Sequence, residues 1–146
     1  MSKNSIWARK RARRALVQAA YQWQMTGASA SDIIAQFAEG ESLKKADVEF
    51  FSESLRRLMA ETEALDAQIE PLLDRKLSEL DKVELALLRL GTDELANRME
   101  VPFKVVIDEY VELARTFGAE DSHKYLNAVL DKLASTLRPL ETADRS

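Results

Sequence analysis

Five basic side chains stand within six positions of the segment ARKRARRALVQAAYQWQ (residues 8–24): Arg9, Lys10, Arg11, Arg13 and Arg14. The planar guanidinium of arginine donates two parallel hydrogen bonds to a phosphate, so this composition favours a polyanionic ligand. A charge run that serves only solubility is the alternative, but such runs usually mix signs, and residues 1–31 contain no acidic side chain. The segment is therefore predicted to bind nucleic acid.

Aromatic side chains flank this basic segment. Tyr21 follows Arg14 by seven residues, which is two turns on the same side of a helix, so its ring could stack on a base. A half-buried core tyrosine fits the same spacing, and the sequence leaves both interpretations open. Arginines beside an aromatic ring suit single-stranded RNA, because no helix-turn-helix pattern for reading DNA is found.

Candidate catalytic groups are few. The chain has one histidine, His123, at the start of a predicted helix, and no cysteine. Asp108 and Glu112 share a helix face beside Glu109, but no Glu-x-x-His arrangement accompanies them, so a solvated or partner-facing acidic surface is favoured over a metal site. No glycine-rich phosphate loop occurs. These observations predict a protein that is not an enzyme and uses no cofactor or metal.

The distribution of charge predicts a second partner. The net charge is −4, and residues 1–31 contribute +6 to it. The remaining residues, with 15 basic and 25 acidic side chains, carry −10 and suit a basic partner. The absence of cysteine and of a long apolar run predicts a cytoplasmic protein without a membrane span.

The elements that position these residues are predicted to be helices, because Ala, Leu, Glu, Lys and Arg dominate and Gly and Pro are scarce. In the first half the patterns predict a helix over Ala8–Met25, which Gly27 ends, and a second helix, which Ser29 or Ser31 caps and Gly40 ends. They predict a third helix that begins at Asp47 or earlier, and a fourth that begins at Thr62 and is limited by Pro71. In the second half they predict a helix starting between Ser78 and Asp81, one with Pro102 in its first turn, and one capped by Asp121 or Ser122 and closed by Pro139.

The fold class that follows is an all-α bundle of about seven helices in two small subdomains, about 8–75 and 78–138. Residues 1–7 are predicted to be a flexible arm and residues 139–146 a frayed tail.

Four stretches resemble the NusB (N-utilisation substance B) family of bacterial transcription antitermination factors. They are ARKRARRALVQAAYQWQMT at 8–26, LDKVELALLRLGTDEL at 80–95, VPFKVVIDEYVELARTFG at 101–118 and DSHKYLNAVLDKLA at 121–134. The resemblance covers nearly the whole chain. It departs from the family pattern at Asp93, where a tyrosine is usual, and at Ala128, where glycine is common.

The resemblance implies a function for the charged surfaces. NusB-like proteins bind boxA RNA as a heterodimer with the small-subunit ribosomal protein NusE, and the complex joins a termination-resistant RNA polymerase. The family's RNA-binding element maps to the basic residues at 9–14, and Tyr21 maps near the RNA. Glu84 maps to a position of the central helix that faces the ribosomal protein.

Asp121 is a further candidate RNA-site residue. It is either a helix cap or, if its turn lies beside the first helix, a carboxylate that repels phosphate and tempers RNA affinity. Two other interpretations stay open for the whole chain, namely a module related to those fused to RNA methyltransferases and an adaptor that binds only protein. The free protein could also form a homodimer.

Overall fold

The computed structural model of the chain describes residues 5–143. Within that range it contains eight α-helices and no strand: α1 Ser5–Thr26, α2 Ala30–Glu39, α3 Val48–Ala60, α4 Thr62–Ile69, α5 Lys82–Asn97, α6 Phe103–Phe117, α7 Ser122–Leu137 and α8 Pro139–Thr142. This confirms the predicted all-α fold. Every helix in the described range is too short or too polar to cross a membrane.

The first compact unit comprises α1, α2 and α3 and ends at Ala60. The buried face of α1 carries several alanines, and these small side chains let α3 approach closely: Ala12, Ala15, Ala19 and Ala20. Opposite them α3 buries Phe51, Leu55 and Leu58 completely. Phe37 of α2 completes the core, with its ring centroid 5.6 Å from that of Phe51.

The second unit begins at Glu61 and is built around α5, against which α4, α6 and α7 pack. An ion pair between Arg89 Nη2 and Asp66 Oδ2, 2.8 Å apart, joins α5 to α4. The division between units therefore falls earlier in the chain than the predicted boundary near residues 75–78, because the apolar face of α4, with Leu65 and Ile69, packs in the second unit. Pro71 lies in a short 3₁₀ turn that follows α4.

Helix starts follow the predicted caps in two places. Ser29 caps α2 by accepting from the Asp32 amide at 3.1 Å, and Asp47 caps α3 by accepting from the Phe50 amide at 2.9 Å. The fifth helix begins at the later end of the range predicted for its start, between Ser78 and Asp81. Ser78 lies in a separate 3₁₀ turn, and Asp81 caps α5, because its carboxylate reaches the amides of the helix start.

Both segments predicted to be without regular structure contain helical residues. Residues 1–4 and 144–146 lie outside the described range, but Ser5–Trp7 belong to α1, since nothing in their sequence breaks a helix. The predicted frayed tail is wrong for Pro139–Thr142. These residues form α8, and the preceding Arg138, only 3% exposed, donates to the carbonyls of Leu95 at 2.6 Å and Val101 at 3.0 Å.

Candidate nucleic-acid interface

The basic residues of α1 divide between two faces of the helix. Arg9 and Arg13 turn toward α3, where their guanidinium carbons lie 4.8 Å and 5.3 Å from the centroid of the Phe50 ring. Arg9 Nε also lies 3.7 Å from Asp47 Oδ2. Arg13 is 4% exposed, so this member of the basic segment is buried. These two arginines stabilise the packing of α1 against α3 through cation–π contacts with Phe50 and, for Arg9, an ion pair with Asp47.

Arg11 and Arg14 occupy the outward face of α1 and are exposed. Both line a cavity of about 300 Å³, together with Gln18 and Lys44. The half-buried Lys10 holds its ammonium 5.9 Å from the ring centroid of Trp7, one turn earlier. The part of the basic segment that can meet a phosphate is therefore centred on Arg11 and Arg14.

The connection between α2 and α3 adds cations that sequence reasoning missed. Lys44 and Lys45 are exposed, and Lys45 lines a second cavity of about 510 Å³ with Trp7 and Arg11. Lys45 has a left-handed backbone (φ 61°), which is uncommon for a residue with a side chain. A hydrogen bond of 2.9 Å from the Asp47 amide to the Ala8 carbonyl ties this connection to α1.

Tyr21 lies farther along α1 and is 40% exposed. This exposure is compatible with both sequence interpretations, because part of the ring packs on the protein while part meets solvent. A phenol ring in this state can offer a face for stacking on a base.

Asp121 immediately precedes α7 in the second unit and does not cap it. Its backbone is left-handed (φ 69°), a conformation in which the carboxylate accepts no hydrogen bond from the helix start. The exposed side chain instead places Oδ1 3.5 Å from Lys124 Nζ. The capping interpretation of Asp121 is therefore wrong, and its effect on RNA stays a prediction.

Glu84 lies in the first turn of α5 and is 9% exposed. Burial raises the pKa of its carboxyl, and the neighbouring Asp81 carboxylate adds to that rise, while the Arg75 guanidinium opposes it. Burial disfavours the charged form of a carboxyl, and here the Arg75 guanidinium offsets only part of that cost. The structure thus gives this predicted partner-binding residue an unusual electrostatic environment.

A polar cluster near Glu84 was not found from the sequence. Arg75 Nε donates to Asp74 Oδ1 at 2.7 Å, and the Arg75 guanidinium carbon lies 4.4 Å from the ring centroid of Tyr125. The Tyr125 hydroxyl donates to the same Asp74 oxygen at 3.0 Å. The Arg75 hydrogen bond, with that of Tyr125, holds the pKa of Asp74 below its ordinary value. Sequence separation hid this cluster, since 51 residues part Asp74 from Tyr125.

Two acidic side chains of α6 lie in solvent or beside a cation. Asp108 is exposed, and Glu112 lies 3.9 Å from Arg115 one turn along α6. Among the described residues no three His, Cys, Asp or Glu side chains lie close enough together to form a metal site.

Asp93, where the chain departs from the family pattern, is 1% exposed and accepts a hydrogen bond from Asn97 Nδ2 at 3.0 Å.

Comparison with known proteins places these features in a family. Residues 10–135 match the model of the NusB family. The transcription antitermination protein NusB of Alcanivorax borkumensis is 51% identical over 138 residues, covering 94% of this chain and 92% of the relative. The NusB of Idiomarina loihiensis is 48% identical over 132 residues, covering 90% of this chain and 95% of the relative.

Solved structures agree with the sequence relatives. Thermotoga maritima NusB superimposes with a TM-score of 0.80 at 29% identity, covering 92% of this chain and 96% of that one. A crystal structure of the antitermination factors NusB and NusE in complex with dsRNA contains a chain that matches with a TM-score of 0.79 at 25% identity, covering 87% of this chain and 96% of that one.

Proposed function

This chain belongs to the NusB family, and from that premise we propose that it is an RNA-binding transcription antitermination factor. With the small-subunit ribosomal protein NusE it binds the boxA sequence of nascent ribosomal RNA and joins a termination-resistant RNA polymerase complex. This assignment places it in the cytoplasm and gives it no catalytic role.

The observation that carries the proposal is the exposed cationic surface of the first unit. Arg11 and Arg14 project from α1, and Lys44 and Lys45 project from the connection that is tied to it. Their positive charge belongs to a chain whose net charge is −4, so it is a local feature and not a general property of the surface. Such a patch attracts a phosphate backbone and releases its counterions.

The second part of the proposal is the ribosomal partner. NusE-type ribosomal proteins are basic, and the residues after position 31 carry 15 basic against 25 acidic side chains. Charge complementarity of this kind accelerates association and suppresses wrong partners. Glu84 in α5 is the residue that we place at this interface, and the family resemblance supports that choice.

An RNA mobility-shift titration with and without the ribosomal protein tests the proposal. We expect binding to single-stranded boxA RNA that the ribosomal protein strengthens, and a log–log salt slope near roughly −3 for about four phosphate contacts. A duplex of the same sequence serves as competitor, because the solved NusB–NusE complex contains dsRNA.

The outcomes separate the alternatives. An adaptor that binds only protein would bind the ribosomal protein and leave RNA unshifted at every salt concentration. If the duplex competes more strongly than the single strand, double-stranded RNA is the preferred ligand. Sedimentation of the free protein, with and without RNA, reports whether a homodimer competes with RNA binding.

A further inference from the structure

Three neighbouring cavities of the first unit share lining residues. The first, of about 510 Å³, contains Trp7 and shares Arg11 with the second, of about 300 Å³. The second shares Gln18 and Ser42 with the third, of about 310 Å³. We call this connected depression the α1 groove. One wall is the outward face of α1, and the other is formed by the end of α2 and residues 40–45.

The chemistry of the α1 groove changes along its length. Its first two cavities are lined by cations: Arg11, Arg14, Lys44 and Lys45. The third is lined by the carboxamides of Gln18, Gln22 and Gln36 over the buried ring of Phe37. A cationic end therefore passes into a neutral end that is rich in hydrogen-bonding groups.

The carboxamide end holds a reciprocal pair. Gln22 Nε2 donates to Gln36 Oε1 at 2.8 Å, and Gln36 Nε2 donates to Gln22 Oε1 at 3.2 Å. A carboxamide has two N–H donors and an oxygen with two lone pairs, so each partner keeps one donor and one acceptor position after the pair forms. The pair thus orients adjacent donor and acceptor groups, which is the pattern that a base edge requires.

We propose that single-stranded RNA runs along the α1 groove, with its phosphates at the cationic end and base edges at the carboxamide end. This inference rests on the proposed function and adds the path of the strand and the groups that read it. From Arg11 to Gln22 the helix rises about 16 Å, which spans successive nucleotides. Glutamine pairs with the N6 and N7 positions of adenine, and unstacked RNA bases expose such edges.

Glu41 is an acidic side chain in the lining of the second cavity and provides an internal control. Its Oε1 lies 3.3 Å from Lys44 Nζ, and both side chains are largely exposed. The carboxylate offsets the lysine and repels an incoming phosphate. Glu41→Gln should therefore tighten RNA binding. Lys44→Gln should weaken RNA binding, because it removes a cation and also removes the charge that offsets the Glu41 carboxylate.

Fluorescence anisotropy with boxA RNA and a scrambled RNA of equal composition separates the two ends. Lys44→Gln combined with Lys45→Asn, which suits the left-handed backbone, should reduce the magnitude of the salt slope by about 1.4 and leave the preference for boxA unchanged. Gln22→Ala combined with Gln36→Ala should lower that preference about fivefold or more and leave the slope unchanged. Lys132→Gln on α7 and Gln68→Ala on α4 are matched exposed controls.

A cysteine footprint tests the path directly, because the chain has no cysteine of its own. Ser42→Cys in the groove should be alkylated more slowly when boxA RNA is bound, and Ser135→Cys on α7 should react at one rate with and without RNA. Equal rates at Ser42→Cys, or lysine and glutamine variants of the groove that bind like the controls, overturn the inference, while RNA binding by the wild-type protein keeps the proposed function. A wild-type protein that binds no RNA overturns both.

Discussion

At the scale of single residues, the arginines of α1 have two different tasks. Arg13 is buried and holds its guanidinium against Phe50, while Arg11 is exposed and lines two cavities. Neighbouring residues of one basic segment thus face either the core or solvent, and the helical phase decides which.

Replacing each arginine alone separates these tasks. Arg13→Ala should lower the free energy of unfolding by about 1–2 kcal/mol, because it removes a cation–π contact and a buried stem. Arg11→Ala should change stability by less than about 0.5 kcal/mol and reduce the magnitude of the RNA salt slope by about 0.7. Urea unfolding and RNA titration measure the two effects. A stable Arg13→Ala protein with a reduced slope would place Arg13 in the RNA interface.

Asp121→Asn tests the second residue-scale hypothesis. Asparagine tolerates the left-handed backbone at this position, and only the exposed ion pair with Lys124 is lost, so stability should stay within about 0.5 kcal/mol of native. If the carboxylate tempers RNA affinity, the variant should bind RNA more tightly, most clearly at low salt where screening is weakest. Anisotropy titrations at two salt concentrations decide this. Identical affinities at low salt would remove Asp121 from the RNA site.

At the scale of elements, short connections hold the helices in place. Arg138 donates hydrogen bonds to backbone carbonyls at the end of α5. Glu141 of α8 accepts a hydrogen bond of 2.7 Å from the Phe103 amide at the start of α6. Arg138 Nη1 and Glu141 Oε1 lie 2.6 Å apart, so an ion pair joins the buried side chain of Arg138 to the more exposed side chain of Glu141 in α8. This arrangement explains why the segment after Pro139 is helical.

Glu141 makes the stability of the second unit dependent on pH. The hydrogen bond from the Phe103 amide, helped by Arg138, lowers the pKa of Glu141 below its ordinary value of 4.5. A depressed folded-state pKa contributes stability above the unfolded value, and that contribution is lost as the pH falls through the folded value. Glu141→Gln should flatten this loss below about pH 4.5. Denaturant unfolding at neutral and acidic pH measures it, and an unchanged pH profile would contradict the assignment.

At the scale of the whole molecule, charge is segregated along the chain. The +6 of residues 1–31 and the −10 of the remainder suit an anionic and a cationic partner. The two compact units do not follow this charge boundary, because α2 and α3 belong to the first unit and carry acidic residues.

Glu84→Lys tests the partner surface that this segregation predicts. If Glu84 meets the basic ribosomal protein, a lysine there should repel that partner and weaken association about tenfold or more. At the positive end of the α5 dipole the lysine should also lower the stability of the helix. Glu84→Gln, which keeps the volume and mimics the protonated carboxyl, should weaken it less. Calorimetric titration with the ribosomal protein, beside an unfolding curve for each variant, measures both. Native affinity in a folded Glu84→Lys protein would move the interface elsewhere.

Most of the fold was accessible to sequence reasoning, because helix formation leaves local traces. The apolar spacing in α1, the caps at Ser29 and Asp47 and the end of α2 at Gly40 are all read within a few residues. The sequence left the start of the fifth helix open between Ser78 and Asp81, because capping depends on which side chain reaches the free amides. Asp81 reaches them in the folded chain.

The sequence by itself determined the helical class, the positions of most helices and the existence of a basic segment, since periodicity, composition and charge are properties of neighbouring residues. Only the tertiary structure decided that Arg9 and Arg13 face Phe50, and that Lys44 and Lys45 line the same groove as Arg11. Contacts of this kind join residues far apart in the chain. They arise when the apolar faces of α1 and α3 pack together and the connection before α3 folds back onto α1, and no local pattern in the sequence encodes that closure.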